Sequence, residues 1–160
     1  MKRVLLLRHA EASPAQGAQP DIERPLTARG RAEALTATQR IAAGGLHIDV
    51  LYVSPAVRTR ETAMIVAAGL DAAGRVQVEP ALYPGTPESL WATLQKTDEQ
   101  VRCALLVGHN PSLSALARQC SASAPGSELP TAGLCLAAFP GTIHWSALRP
   151  VQGRPLALPG

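Results

Sequence analysis

Residues 1–11 read Met1-Lys2-Arg3-Val4-Leu5-Leu6-Leu7-Arg8-His9-Ala10-Glu11: four aliphatic side chains in a row run straight into an arginine, a histidine and a glutamate. A strand with one wet face needs apolar residues only at alternate positions. A continuous apolar run therefore marks a strand buried on both faces, as in a parallel sheet covered by helices. Working outward, comparable runs occupy 48–53 and 103–107, with a shorter one at 76–79. Each ends in chemically loaded or turn-forming residues.

Helix signals fill the gaps. Thr27 is placed to cap a helix reaching Ala43, with Gly44-Gly45 as its stop. Ser54-Pro55 and Asn110-Pro111 each pair a capping residue with proline at the first helical position, predicting helices to about Leu70 and Gln119. A further helix is expected over 87–96. Runs at 133–139 and 142–148, joined by the turn Pro140-Gly141, read as a hairpin at a sheet edge. Strands alternating with helices predict an α/β fold: a three-layer sandwich whose mostly parallel central sheet carries helices on both faces and an antiparallel edge strand. Residues 1–150 are expected to form one catalytic domain, 121–130 a surface loop, and 151–160, rich in proline and glycine, a weakly ordered tail.

Composition narrows the classes. The 160 residues suit one core. With 46% hydrophobic and 17% charged residues the chain has apolar material for packing, which argues against disorder, and 3% aromatics make that core aliphatic. A net charge of +3 without a basic stripe or aromatic stacking platforms argues against nucleic acid as a partner. Cys103, Cys120 and Cys135 are odd in number and lack CxxC spacing, so they read as buried free thiols in a reducing compartment. Met1-Lys2-Arg3 mimics the start of a signal peptide, but Arg8 interrupts the apolar run, and no stretch approaches the roughly 20 residues of a membrane span. A cytoplasmic location with no membrane partner is expected.

Open α/β sheets bind ligands at the carboxyl ends of their strands. Here those ends carry Arg8-His9, Ser54 to Arg58, and Gly108-His109-Asn110. If the strands run parallel and lie near one another, Arg8, His9, Arg58 and His109 meet beside two helix N-termini, a setting for a small, highly charged anion such as phosphate, or sulfate in its place. Arg8 offers a planar fork for two oxygens. His9 suits a general base or a nucleophile, and with no cysteine or serine placed as an alternative in the cluster, His9 itself is favoured. Nothing in the sequence has a strong metal-ligand pattern.

At these residues the sequence resembles the histidine phosphatase superfamily, also called phosphoglycerate mutase-like. The matching stretches are LLLRHAE at the start, RPLTARG at 24–30, VSPAVRTRETA at 53–63 and LLVGHNPSL at 105–113. Short length and GHNP are similar to the SixA-like branch of small phosphohistidine phosphatases. The resemblance implies a hydrolase in which His9 attacks phosphorus and is phosphorylated before water releases phosphate, with Arg8, Arg58 and His109 binding the transferring group and with no metal or cofactor. Many members carry an acidic proton donor after the third strand, where this chain has Tyr83-Pro84. Loss of such an acid harms phosphohistidine cleavage less than ester cleavage, because a protonated imidazole leaves easily. The expected partner is thus a phosphorylated protein domain, the alternatives being a small phosphorylated metabolite or nucleotide, or phosphate binding without catalysis. Secondary candidates are Glu11, orienting a site arginine or merely filling the loop; Asn110, a helix cap; and Arg24, reaching substrate or pairing with Asp21 or Glu23.

Overall fold

The computed structural model describes residues 1–121 and 128–160. Six strands form one mixed sheet: β1 (Lys2–Arg8), β2 (Val50–Val53), β3 (Val76–Val78), β4 (Cys103–Gly108), β5 (Leu134–Phe139) and β6 (Arg154–Leu156), in the order β3-β2-β4-β1-β5-β6. β1, β2, β3 and β4 are mutually parallel where they pair, whereas β5 runs antiparallel to both β1 and β6. Helices α1 (Ala28–Ala43), α2 (Val57–Gly69), α3 (Pro87–Gln95) and α4 (Ser112–Ser121) cover the sheet. The predicted α/β class, mostly parallel sheet and antiparallel edge are all present. No helix among the described residues is long and apolar enough to cross a membrane.

The unbroken apolar runs have the expected cause. Val4 and Leu6 of β1 join Leu106, Leu90, Leu94, Leu113 and Leu116 in the core beneath α3 and α4. Leu5 and Leu7 point the other way, into a second core with Leu105, Val107, Ile41 and Val66 beneath α1 and α2. Alternate side chains thus serve opposite faces of one strand.

Two terminal expectations are corrected. Residues 142–148 form no strand; their centre is a 3-10 turn, Trp145–Ala147. Trp145 is buried in the α3/α4 core, and its indole N–H donates to the Val101 carbonyl at 3.1 Å, so the side chain acts as a plug and not as part of a sheet face. The edge strand comes instead from Arg154–Leu156, inside the stretch expected to be weakly ordered. Pro155 hides it in the sequence, yet proline is admissible on an edge strand, where one side of the backbone needs no partner. The surface loop expected over 121–130 falls mostly on residues 122–127, outside those described.

The caps differ in outcome. Thr27 caps α1 as predicted, its hydroxyl accepting from Gly30 N–H at 2.9 Å. At Ser54-Pro55 the helix starts later, at Val57 with Ala56 as N-cap. Gly30 matters for a second reason: Glu11's carbonyl accepts from Thr27 N–H at 3.0 Å, and a Cβ at Gly30 would collide with that same carbonyl. Gly30→Ala is expected to lower stability by about 3 kcal/mol, since the obstructing atom is backbone; a urea midpoint unchanged from wild type would contradict this close packing.

Candidate functional site

Strand register builds the site. Arg8 pairs with Gly108, and Val53 with Val107, so β1, β2 and β4 finish within one residue of one another. The next residues are His9, Ser54 and His109. His9 N–H donates to Gly108 O (3.1 Å) and Ser54 N–H to Val107 O (3.2 Å), carrying the alignment past the strand ends. The two imidazole rings lie 5.4 Å apart, centroid to centroid. Arg58 occupies the first turn of α2 and is buried. Four residues from three distant segments are therefore brought together, as the strand-end reading predicts.

Much of the surrounding motif is scaffold. Thr59 donates to Ser54 O and Ala56 O, fixing the turn before α2. Thr62 accepts from Ala10 N–H at 3.0 Å and Glu61 accepts from Leu26 N–H at 2.9 Å, tying α2 to the loop after β1. Such bonds hold His9 and Arg58 on a rigid frame, which catalysis requires.

Hydrogen-bond chemistry fixes the state of His9. Its Nδ1 lies 2.7 Å from Ala10 O. A carbonyl only accepts, so Nδ1 carries the proton and the neutral ring keeps its lone pair on Nε2. Burial chiefly, with Arg58, Arg8 and Arg24 adding to it against the Ala10 hydrogen bond, lowers the His9 pKa to about 4. Neutral imidazole is the nucleophilic form.

His109 differs. Burial, then the charges of Arg58 and of His9, lower its pKa to about 3. Its Nε2 lies 2.7 Å from Ser54 Oγ, which also accepts from Ala56 N–H at 3.3 Å. Either atom can be the donor: with the Ser54 hydroxyl hydrogen given to Nε2, the His109 proton sits on Nδ1, and with Nε2–H donating to Oγ, Nδ1 is a bare acceptor. The sequence reads Ser54 as a helix cap at a strand end and no serine as an alternative nucleophile; the structure adds that Ser54 is fully buried as a partner of His109. That use has no local sequence signal.

The arginines are only partly satisfied. Arg8 Nη1 donates to Leu129 O at 3.0 Å, while Arg58 donates through Nη1 to Asp21 O (2.8 Å) and through Nη2 to Asp21 Oδ2 (2.9 Å). Arg8 Nε, Arg24 Nε, Arg58 Nε and His109 Nδ1 are buried without a hydrogen-bond partner among the described residues, the Arg24 Nε contact to Asp21 being an ion pair without hydrogen-bond geometry. Unsatisfied buried donors are costly. Their gathering beside His9 fits a tetrahedral oxyanion.

Of the secondary candidates, Glu11 accepts from the Thr27 hydroxyl (2.8 Å) and sits 3.8 Å from Arg29, on the scaffold side of the loop. The helix after Asn110-Pro111 starts later than predicted, at Ser112, yet Asn110 Oδ1 still accepts from Ser114 N–H in its first turn, and Asn110 Nδ2 shares the Leu129 carbonyl with Arg8. Arg24 pairs with Asp21, Nε to Oδ1 3.1 Å, as one of its two readings predicts. Tyr83 lies 5.5 Å from the His109 ring and donates its hydroxyl to Asp21 Oδ2 at 2.8 Å. Cys103 and Cys120 are buried free thiols whose pKa burial raises to about 12, and Cys135 is partly buried.

The neutral histidines couple folding to pH. Unfolded histidines protonate near 6.5, so below that value unfolding takes up protons. Stabilisation is complete above about 6.5 and lost as pH falls toward about 4 for His9 and about 3 for His109. For His9 the interval corresponds to about 3 kcal/mol. Stability in phosphate-free buffer is expected to drop between pH 7 and 4.5; an NMR titration of His9 with a midpoint near 6.5 would contradict the burial effect.

Comparison with known proteins agrees with this geometry. Residues 4–83 match the model of the histidine phosphatase superfamily, branch 1. An uncharacterised protein of Mycobacterium tuberculosis strain H37Rv is 30% identical over 154 residues, covering 90% of this chain and 92% of its own. A structure described as a candidate phosphohistidine phosphatase SixA from Agrobacterium tumefaciens superposes with TM-score 0.84 at 24% identity, covering 99% of this chain and 97% of that one. A protein histidine phosphatase SixA complexed with tungstate gives 0.80 at 23%, covering 98% and 95%. The chain belongs to the histidine phosphatase superfamily and is a phosphatase of that family.

Proposed function

We propose that the protein hydrolyses phosphohistidine on a protein partner through a phosphorylated His9. The observation that carries this reading is the donor arrangement: a lone pair on His9 Nε2 beside unpartnered nitrogens of Arg8, Arg58 and His109. In the first step Nε2 attacks phosphorus in line, a P–N bond forms, and the substrate's bond to phosphorus breaks. Arg8, Arg58 and, in its Nδ1–H tautomer, His109 stabilise charge on the transferring oxygens. Water then cleaves the P–N bond on His9 and releases inorganic phosphate.

Substrate class follows from proton supply. By the family resemblance Tyr83-Pro84 falls about where many members carry an acidic proton donor, and the Tyr83 hydroxyl is given to Asp21, a hydrogen bond that raises its pKa. Asp21 is held ionised, first by Tyr83's hydrogen bond and then by Arg58. Neither group is a ready acid, whereas a phosphohistidine ring is protonated by solvent and leaves as neutral imidazole. The likeness in fold to proteins described as SixA phosphohistidine phosphatases supports the same choice. Release of phosphate from a phosphohistidine-bearing protein domain should exceed that from sugar and nucleotide phosphates by at least about a hundredfold in kcat/KM. The reverse order would assign a small metabolite as substrate.

A further inference from the structure

The carboxylate of Asp21 sits in an otherwise cationic site. It comes from the 3-10 turn Asp21–Glu23, far in sequence from Arg58 and Tyr83. Its Oδ2 accepts from Arg58 Nη2 (2.9 Å) and from the Tyr83 hydroxyl (2.8 Å), and its Oδ1 lies 3.1 Å from Arg24 Nε. Its side chain is 55% exposed, whereas that of Arg58 is 7% exposed. Asp21 thus stands on the solvent side of Arg58, and its negative charge reaches His109.

Such placement is costly for phosphate binding, because the anion and Asp21 repel and compete for Arg58. Holding Arg58 does not require the charge: the Asp21 main-chain carbonyl already accepts from Nη1 at 2.8 Å. A charge at the mouth acts on whatever carries the phosphate, since that group is the part of a substrate left facing solvent.

We propose that Asp21 is a specificity-determining residue that favours phosphorylated groups with a cationic body, an imidazolium above all, and opposes those with an anionic body. This deepens the phosphohistidine reading and rests on the same anion site. At a few ångströms, opposite charges near a protein surface attract enough to change affinity about tenfold, and like charges repel comparably.

The test uses two probes of similar size: phosphocholine, with a cationic body, and 3-phosphoglycerate, with an anionic one. Their dissociation constants are measured by calorimetry at low salt for wild type, Asp21→Asn and Tyr83→Phe. The Asp21→Asn variant keeps the main-chain carbonyl and a side-chain amide oxygen for Arg58, so the fold of the turn is retained. Wild type is expected to prefer phosphocholine, Asp21→Asn to shift the ratio of the two constants toward 3-phosphoglycerate by at least about tenfold, and Tyr83→Phe to move it by less than about threefold. The shift should shrink in high salt. An unchanged ratio in Asp21→Asn, equal weakening of both probes, or binding of neither by wild type would overturn the proposal. Failure of wild type to hydrolyse phosphohistidine, with the ratio still shifted, would remove the substrate assignment and leave Asp21's role standing.

Discussion

Replacing His9 by alanine is expected to reduce kcat/KM for phosphate release by at least about ten-thousandfold, with the fold retained. The size of the effect follows from what the imidazole supplies. Nδ1–H is anchored on the Ala10 carbonyl, which fixes ring orientation and leaves Nε2 as the basic nitrogen. Burial among arginines keeps the ring neutral, with a pKa of about 4, so at neutral pH nearly every molecule holds the reactive form. Of the other side chains described in the cluster, Ser54 Oγ and His109 Nε2 are turned to each other, and Arg8 and Arg58 cannot lose a proton. Steady-state kinetics on the purified variant, with circular dichroism to check folding, measures the loss. Activity within about tenfold of wild type would mean that water attacks the substrate directly.

Arg58→Lys is the second large effect, expected to lower kcat about a hundredfold or more although charge is conserved. Arg58 uses its planar fork fully. Nη1 and Nη2 hold the main chain and carboxylate of Asp21, and Nε is buried without a partner, the nitrogen proposed above to meet the transferring phosphoryl group. A lysine ammonium is a single point and cannot keep Asp21 and stabilise phosphoryl oxygens at once. The lysine variant should also release the Asp21 turn, detectable as faster amide exchange over 21–23. A lysine variant with wild-type kcat would show that charge alone suffices.

What is legible in the sequence is the frame. Val4 to Leu7 and Cys103 to Val107 announce doubly buried strands because both faces of the sheet are covered, and the residues just after them are delivered to one rim by the register Arg8 to Gly108. His9, His109, Arg8 and Arg58 can therefore be named without coordinates. Ser54 cannot, because serine before proline looks like a cap whether its hydroxyl bonds the helix or, as here, a histidine 55 residues away. Asp21 and Tyr83 lie 62 positions apart and meet only through loop closure, so neither carries a local pattern. Trp145 escapes a sequence reading because strand propensity and burial as a plug favour the same residue types.

The central claim is that His9 Nε2 accepts the phosphoryl group. Mixing the enzyme with a small phosphoramidate donor, quenching in alkali and mapping the modified peptide by mass spectrometry, with NMR to identify the nitrogen, tests it directly. Phosphate on Nε2 of His9, formed and lost at rates that account for turnover, is the predicted result. Turnover with no adduct on His9, or an adduct on His109 or Ser54 instead, would contradict the account.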